Sequence, residues 1–252
     1  MKINYLKNIG IVILAAGKGK RLGCVDAPKV LCEINDKPII SYVLEILKQN
    51  GILKSNICLV VGFQKEKAKE IIGKEYIYAD QEELLGTAHA SHIGEQKLSS
   101  HIKDFLVLNG DDSAFYTFET LNAFVESHIK NKNDITLLTC EKDDVQGGKI
   151  IRDNRGKAIA IREKENLFKG EEAINEISAG TFCFNRNWFN KIYPLLKPIT
   201  GLGELGLPSF AEEAVKEKAK FEAIKLKNPD EWFGINTKEQ LKEADEQKRR
   251  QS

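Results

Sequence analysis

The sequence predicts an α/β fold, and three observations support this prediction. Residues 9–16 form an apolar run with the length of a buried strand, and they lead into a glycine-bearing loop. Further short apolar runs alternate with segments of helical periodicity, a rhythm typical of a parallel sheet covered by helices. From Gly147 the pattern changes to two alternating runs around a polar turn at residues 153–156, which indicates an antiparallel hairpin. We therefore expect a Rossmann-like, mixed, mostly parallel sheet flanked by helices, with an antiparallel hairpin inserted in the second half.

The elements of the first half follow one another in regular order. After the first loop, Pro38 stands where a helix can begin, and apolar residues recur at helical spacing until Asn50 and Gly51 stop them. The later elements of this half are predicted as strands at 57–63, 76–79 and 105–108, and as helices at 65–72, 86–98 and 118–130.

The second half contains more strands before its helices. We predict a strand at 134–140, the hairpin, a strand at 177–184, helices at 188–196 and 208–220, a strand at 221–226 and a charged helix from 238 to the end. There is no internal repeat, low-complexity tract or linker. One domain covering residues 1–252 is therefore expected.

The composition is that of an ordinary globular chain and excludes several classes of function. The 252 residues carry a formal net charge of +1, which argues against partners such as nucleic acid or a membrane surface, because these usually require a basic excess. No apolar run is long enough to span a bilayer. The five cysteines are odd in number, widely spaced and without C-x-x-C, so they indicate neither a disulfide framework nor a zinc site. We expect a cytoplasmic protein with reduced thiols.

The loop at residues 17–22, GKGKRL, is a candidate phosphate-binding loop. It does not match the G-x-x-x-x-G-K-[ST] motif, and a dinucleotide fingerprint would need a third glycine where Leu22 stands. The small residues before it would let a base or ribose lie on the backbone, and Arg21 and Lys29 are cations that could bracket a triphosphate. A basic surface loop is the alternative that these residues alone leave open.

The string LAAGKGKR at residues 14–21, followed by Pro28 and Lys29, closely resembles the leading signature of the sugar-phosphate nucleotidyltransferases, L-A-A-G-x-G-x-R with a downstream P-K. Members of that family condense a nucleoside triphosphate with a sugar 1-phosphate and release pyrophosphate. The string QEELLGTAHA at residues 81–90 resembles a second block, Q-x-x-x-x-G-T-x-H-A, of the uridyltransferases that make UDP-N-acetylglucosamine. Within the family, the chain is most similar to the uridyltransferase domain of the bacterial bifunctional enzyme, and it lacks the hexapeptide repeats of the acetyltransferase domain.

The resemblance implies roles for residues of both blocks. Arg21 and Lys29 are expected to be catalytic. A glutamine amide at Gln81 would suit a uracil edge, although a helix cap at residues 86–87 and a packed histidine at His89 are the structural alternatives. The residues implied in nucleotide binding are Leu14, Ala15, Ala16, Gly17, Gln81, Gly86 and Thr87.

Asp111 is a candidate magnesium ligand. It follows an apolar strand, so its carboxylate is expected at the carboxyl edge of the sheet, where α/β proteins bind ligands. The aspartate of this block holds Mg²⁺ in the family. Turn chemistry alone is the alternative for Asp111 and for the neighbouring Asp112, and Asp112 is expected either to serve the turn or to support the metal ligand without contacting the metal.

Asn236 is the expected second ligand. The string WFGINTKEQL at residues 232–241 resembles a late family block in which an asparagine completes the metal site. Either Asn236 or Thr237 could instead cap the last helix, with Glu239 or Gln240 closing a capping box. The two roles are compatible, because Asn236 can face a ligand while its neighbour caps. Mg²⁺ prefers few protein oxygens plus phosphates, so two ligands suffice.

The sugar site is implied in the second half. Gly148, Glu163 and Ser178 align with family positions that hold the acetylated sugar, so residues 1–112 are expected to bind the nucleotide and residues 113–252 the sugar. Ser178 stands where the family usually has asparagine, and this leaves the sugar open, with N-acetylglucosamine 1-phosphate preferred.

The expected partners are therefore UTP and a sugar 1-phosphate, with Mg²⁺ as cofactor and neither nucleic acid nor membrane involved. Two alternatives stay open. The first is an enzyme of the same fold that uses CTP or a different sugar phosphate, and the second is a silent nucleotide-sugar binding protein. Retention of Lys29, Asp111 and Asn236 together with Arg21 disfavours the silent protein.

Overall fold

A mixed β-sheet runs through the middle of the molecule, with helices on both faces. The computed structural model describes residues 3–23, 27–143, 147–201 and 203–251, and of Lys20 it describes the backbone alone. In this part of the chain the main sheet has nine strands, and a second sheet has two.

The strands are β1 Gly10–Ala15, β2 Glu33–Ile34, β3 Lys37–Pro38, β4 Ile57–Val61, β5 Ile77–Asp80, β6 Asp104–Asn109, β7 Ile135–Glu141, β8 Lys149–Arg152, β9 Ala158–Arg162, β10 Glu176–Asn185 and β11 Phe221–Lys225. The helices are α1 Ile39–Gln49, α2 Lys65–Ile72, α3 Thr87–Glu95, α4 Phe118–Asn131, α5 Arg186–Ile192, α6 Ser209–Lys216 and α7 Lys238–Arg250.

The order of strands in the main sheet is β11-β7-β10-β6-β1-β4-β5. The pairs β6-β1, β1-β4, β4-β5 and β11-β7 are parallel, whereas β10 runs antiparallel to both β6 and β7. The β8-β9 hairpin is antiparallel and joins the sheet through β8, which pairs with β10. The predicted fold class, a mixed and mostly parallel sheet with an inserted antiparallel hairpin, is confirmed.

Strand β1 lies at the centre, and all six of its residues are buried. Because successive side chains of a strand point to opposite faces, Ile11 and Ile13 pack with α1, α2 and α4, whereas Val12 and Leu14 pack on the other face, which α3, α5 and α6 cover. Its parallel neighbour β6 places Gly110 beside the end of β1, where the Gly110 amide donates to the carbonyl of Leu14 at 2.9 Å. The loops after the two strands therefore meet.

A smaller core cluster ties the first loop to the last helix. Leu22 from the loop packs with Phe115, with Ile235 before α7 and with Ala244 inside α7. This packing carries the residues just before α7 to the carboxyl ends of β1 and β6, although they come last in the chain.

The two-stranded sheet β2-β3 is a difference from the sequence prediction. Its turn is made by Asn35 and Asp36, which both have positive φ, 47° and 60°. Asn and Asp tolerate this conformation better than most residues. Strands of two residues show no alternation of apolar and polar positions, which is why the sequence pattern did not reveal them.

The cysteines depart from expectation at one position. Cys58, Cys140 and Cys183 are free and buried, whereas Cys24 lies outside the described residues. Cys32 is disulfide-bonded, so the expectation of reduced thiols is wrong for this residue. An odd number of cysteines rules out complete pairing but leaves room for a single bridge.

Among the helices that the structure describes, none has the length and apolar character needed to cross a membrane.

Candidate active site

A cavity of about 360 Å³ opens at the carboxyl ends of β1 and β6. Ten residues that the sequence singled out line it, together with Asn109, Asp112 and Glu204, which were not among the predicted site residues. The ten are Leu14, Ala15, Ala16, Gly17, Lys29, Gln81, Gly86, Thr87, Asp111 and Asn236.

The floor of the cavity is the end of β1 and the start of the first loop. Ala15 and Ala16 present little side chain, and the carbonyl of Gly17 accepts a hydrogen bond from the amide of Lys29 at 3.1 Å. At Gly19, which has φ +62°, a Cβ atom would lie only 3.1 Å from the Cα of Lys29. The loop therefore packs closely on Lys29 and holds this residue over the cavity.

Arg21 is the one predicted catalytic residue that does not line the cavity. It lies on a single 3-10 turn, Lys20–Leu22, where its neighbour Leu22 is buried in the small core cluster and Arg21 itself is exposed. Arg21 thus belongs to the loop that follows the cavity floor, and its catalytic role stays a prediction.

Lys29, Asp111 and Asn236 meet inside the cavity. The ammonium of Lys29 forms an ion pair with Asp111 and donates a hydrogen bond to Oδ1 of Asn236 at 2.8 Å. The Lys29 and Asp111 side chains are only 15% and 18% exposed, so water screens the pair less than it screens a surface pair. A cation thus already sits between the two oxygen ligands expected of a metal site.

The start of α7 holds Asn236 in place. Thr237 caps the helix, its hydroxyl accepting from the amide of Gln240, and Gln240 Oε1 accepts in return from the amides of Asn236 and Thr237. The capping box leaves the Asn236 side chain to face the cavity. The capping role expected for this segment is therefore filled by Thr237 and Gln240, and the metal-ligand role of Asn236 stays a prediction.

Asp112 is a buried carboxyl directly beside Asp111 in the chain. Its Oδ2 accepts from Asn109 at 3.2 Å, whereas its Oδ1 is buried without a hydrogen-bond partner among the described residues. Burial, reinforced by the charge of Asp111, raises the pKa of Asp112. A carboxyl in this position favours additional positive charge nearby.

These residues fit a magnesium ion. A carboxylate and an amide oxygen are hard donors, and Mg²⁺ is commonly held by one or two protein oxygens plus phosphates and water. Asp111 and Asn236 already share a cation, and the orphaned oxygen of Asp112 lies next to Asp111 in the chain. Within the described residues there is no cluster of three or more His, Cys, Asp or Glu side chains that could hold a metal alone. The site therefore suits a metal that arrives with phosphates.

Gln81 is 4% exposed and has a defined orientation. Its Nε2 lies 3.2 Å from the carbonyl oxygen of Gly86 and 3.2 Å from Nδ1 of His89. In the described part of the chain, no hydrogen bond is made to its Oε1, so a glutamine that lines the cavity keeps one free acceptor.

The start of α3 is held by hydrogen bonds to Leu205 and Leu207 in the second half of the chain, a contact that we call the clasp. Gly86 has φ +105°, and a Cβ atom there would lie 2.4 Å from the carbonyl oxygen of Leu205. That carbonyl accepts from the amide of Ala88, and the Thr87 hydroxyl accepts from the amide of Leu207 at 2.9 Å. The clasp places Glu204 at the cavity. Its position depends on these long-range backbone contacts, and the sequence around Glu204 resembles the corresponding family block only loosely, so Glu204 was not predicted as a site residue.

The three residues expected to hold the sugar lie together beside this cavity without lining it. The amide of Ser178 donates to the carbonyl of Gly148 at 2.8 Å, and a Cβ atom at Gly148 would lie 3.0 Å from Oε1 of Glu163. Ser178 Oγ accepts from the amide of Gly180, where a Cβ atom would clash with Asn109 Nδ2 at 2.2 Å. Contacts through Gly180 therefore connect this group of residues to Asn109, which lines the first cavity.

Glu163 itself lines a second cavity, of about 420 Å³, with Asn166, Thr200 and Ser209. Burial and the nearby charge of Glu165 raise the pKa of Glu163. The segment between the two cavities is fixed by a hydrogen bond from the amide of Ile199 to the carbonyl of Glu204. A half-buried acceptor in a polar cavity suits the hydroxyl groups of a sugar.

Comparisons with known proteins agree with this geometry. The chain matches the family model described as "Nucleotidyl transferase" over residues 11–251. It is 34% identical over 236 residues to the bifunctional protein GlmU of Staphylococcus carnosus, which covers 93% of this chain and 51% of that protein. It is 31% identical over 244 residues to the bifunctional protein GlmU of Clostridioides difficile, covering 96% and 52%. The chain thus spans about half the length of the curated relatives it matches.

A solved structure shares the fold. A Bacillus anthracis protein described as a glucose-1-phosphate thymidylyltransferase, in complex with a sucrose, superimposes with a TM-score of 0.78 at 23% identity. The match covers 96% of this chain and 95% of that one. At this level of identity the likeness supports the architecture.

Proposed function

The chain belongs to the nucleotidyl transferase family, and we propose that it condenses UTP with a sugar 1-phosphate to give a UDP-sugar and pyrophosphate. N-acetylglucosamine 1-phosphate is the preferred acceptor. The observation that carries the proposal is the meeting of Lys29, Asp111 and Asn236 in one cavity with Gln81. This cavity combines a cation, two hard oxygen ligands and a free amide acceptor.

The reaction requires that the two substrates be positioned and that the negative charge of their phosphates be neutralised. An oxygen of the sugar phosphate attacks the α-phosphorus of the triphosphate in line, the bond from that phosphorus to the bridging oxygen breaks, and pyrophosphate leaves with the electron pair. No general base is needed, because the attacking phosphate is already an anion. The protein therefore has to hold the reactants together and stabilise negative charge.

Lys29 and Arg21 supply cations for this task. Lys29 is inside the cavity, where its ammonium is positioned to contact a phosphate oxygen of the substrates. Mg²⁺, held by Asp111 and Asn236, would supply positive charge between the reacting phosphates. Arg21, on the exposed turn of the first loop, is proposed to contact the leaving pyrophosphate from the solvent side.

Gln81 is proposed to read the base. Uracil presents an N3–H donor, and the free Oε1 of Gln81 is an acceptor in the same cavity. The small residues at the end of β1 leave a flat floor for the base and ribose. We propose that residues up to about 112 supply most contacts to the nucleotide and that later residues hold the sugar, with Glu204 and Asn236 as later residues that also line the nucleotide cavity. A cytoplasmic location is part of the same proposal.

The second candidate function is the same reaction with another base or sugar phosphate. Ser178 favours it, because a serine hydroxyl reaches less far than the amide that the family usually has there, and it offers one donor instead of two. Its Oγ also accepts from the amide of Gly180, 3.2 Å away. The sugar contact is therefore the part of the site most open to change.

Pyrophosphate release across a matrix of five nucleoside triphosphates and several sugar 1-phosphates, with Mg²⁺ present, tests the proposal. We expect the highest kcat/KM with UTP and N-acetylglucosamine 1-phosphate. A maximum with CTP or with another sugar would support the second candidate. No release with any pair, combined with measurable nucleotide-sugar binding, would support a silent binding protein.

A further inference from the structure

The orientation of the Gln81 amide decides what the base meets in the cavity. With Oε1 toward the cavity, Gln81 offers an acceptor, and with Nε2 toward the cavity it offers donors. Uracil has a donor at N3, whereas cytosine has an acceptor at that atom. A residue that fixes the orientation of the Gln81 amide therefore influences which base is bound. This inference rests on the proposed nucleotide site.

Two contacts define the orientation that the structure shows. The carbonyl oxygen of Gly86 can only accept, so the amide group 3.2 Å from it must be the nitrogen of Gln81. The same nitrogen lies 3.2 Å from Nδ1 of His89. Since an NH₂ group can only donate, Nδ1 must accept, and this requires the neutral imidazole with its proton on Nε2.

The opposite state of His89 would work against this arrangement. A proton on Nδ1 would place two donors face to face at 3.2 Å, and relief would come from turning the amide so that Oε1 meets His89. That rotation breaks the bond to Gly86 and presents NH₂ to the cavity. Because Gln81 is 4% exposed, water has little access to replace a lost partner.

We propose that His89 is a specificity-determining positioning residue: its unprotonated Nδ1 holds Gln81 with Oε1 toward the nucleotide and so favours a base with an N3–H donor. His89 lies in the first turn of α3, directly beside the Gly86 and Thr87 pair that the second half clasps. The helix start therefore supplies both partners of the Gln81 nitrogen. His89 acts through Gln81 and needs no contact with the nucleotide.

The same helix offers a matched control. His92 lies one turn further on, stacks on Tyr193 with ring centroids 3.9 Å apart, and its Nδ1 makes no hydrogen bond among the described residues. His92→Phe keeps a ring there and removes no bond to Gln81. His89→Phe keeps a ring but removes the acceptor, whereas His89→Asn can return an acceptor oxygen close to the position of Nδ1.

Titration calorimetry on the full chain with Mg²⁺, using UTP and CTP, tests the functional half of the proposal. We expect His89→Phe to weaken UTP binding about tenfold, the equivalent of one lost hydrogen bond. The ratio of UTP affinity to CTP affinity should fall toward one. Turnover at saturating UTP should change less than KM. His89→Asn should restore most of the ratio, and His92→Phe should leave it unchanged. An unchanged ratio in His89→Phe overturns the proposal.

The tautomer is tested separately, without any substrate. In ¹⁵N-histidine-labelled protein at neutral pH, the ring nitrogens of His89, assigned by comparison with His89→Phe, should show an unprotonated Nδ1 and a protonated Nε2. A proton on Nδ1 overturns the inference. Absence of UTP binding by the wild-type chain contradicts the proposed function instead, and because the ring spectrum is measured without nucleotide, the two failures are distinguishable.

Discussion

The ammonium nitrogen of Lys29 lies 2.8 Å from the amide oxygen of Asn236, although 207 positions separate the two residues in the chain. Lys29 follows the first loop, Asp111 follows β6, and Asn236 precedes α7. Their meeting is therefore a product of the sheet and of the small core cluster beneath the loop. In this arrangement a side-chain cation occupies the oxygen pair that would hold a metal.

Lys29→Met should lower kcat by about 10²–10³-fold, because it removes a preorganised cation next to the reacting phosphates. The thermal unfolding midpoint should also fall, because Asp111 loses its ion-pair partner inside the cavity, but the protein should remain folded at the assay temperature. Pyrophosphate release and thermal unfolding measure the two effects. Lys191→Met, which removes an exposed lysine paired with Glu217 on the surface, is the control and should keep the wild-type rate. A normal rate in Lys29→Met would show that this ammonium takes no part in the reaction.

Ser178→Asn should improve the use of N-acetylglucosamine 1-phosphate, if that sugar is the acceptor, by lowering its KM several-fold. The longer amide reaches further and offers two donors, and each hydrogen bond gained contributes about 1 kcal/mol. The KM for UTP, measured in the same assays, should stay unchanged. If the KM for this sugar rises while that for another sugar 1-phosphate is unaffected, Ser178 belongs to a site shaped for the other sugar.

Gly86→Ala should destabilise the protein by about 3 kcal/mol or more, because its backbone conformation is almost confined to glycine and its Cβ would meet the Leu205 carbonyl at 2.4 Å. Gly156→Ala is the matched control, because φ is also positive there, +78°, but nothing lies within 4 Å of the added atom. This variant should lose only about 1–2 kcal/mol. Urea unfolding measures both variants, and equal losses would show that the clasp between α3 and Leu205 contributes nothing.

Glu176 is 7% exposed and pairs with Arg152. Burial opposes its ionisation, but hydrogen bonds from Arg152 and Thr139 outweigh this, so the pKa of Glu176 lies below its ordinary value of 4.5. A carboxyl with a lowered pKa in the folded state contributes stability above the unfolded pKa and loses it as pH falls through the folded pKa. Glu176→Gln should therefore cost about 3 kcal/mol at pH 7 and progressively less below about pH 4.5.

Urea unfolding between pH 7 and pH 3 measures this dependence. The control is Glu126→Gln, which removes a partner of the exposed Lys130 and should cost less than about 0.5 kcal/mol at every pH. A loss in Glu176→Gln that is the same at pH 7 and at pH 3 would mean that the ionised carboxylate is not what stabilises the pair.

Strong patterns in the sequence predicted most of the fold. The helix expected at residues 65–72 has these bounds, and α4 extends only one residue beyond its predicted end. Helix α3 ends at Glu95, earlier than the predicted residue 98, because Leu98 leaves the helix and packs into the core beneath Gly10. Where periodicity was weak or absent, as in β2 and β3, the prediction failed.

In the candidate site too, residues that belong to local motifs were predicted, and residues that long-range contacts position were missed. Residues such as Lys29, Gln81 and Asp111 could be predicted because each belongs to a short motif next to a strand or helix end, and parallel strand ends converge at one edge of a sheet. Glu204 was missed because the backbone hydrogen bonds of Leu205 bring it to the cavity, and the sequence around it resembles the family block only loosely. The hydrogen bond between Gln81 and His89 also requires coordinates, because amide orientation is not encoded in a motif.

The central claim is that this cavity transfers a uridylyl group with the help of a metal held by Asp111 and Asn236. The most direct test is mass-spectrometric detection of the nucleotide sugar formed from UTP and N-acetylglucosamine 1-phosphate, with Mg²⁺ titrated from zero, for the wild type and for Asp111→Asn. We expect UDP-N-acetylglucosamine and pyrophosphate in equal amounts, no product without Mg²⁺, and a rate reduced by about 10²–10³-fold in Asp111→Asn. Wild-type turnover in Asp111→Asn, or no UDP-sugar at any Mg²⁺ concentration, would contradict the claim.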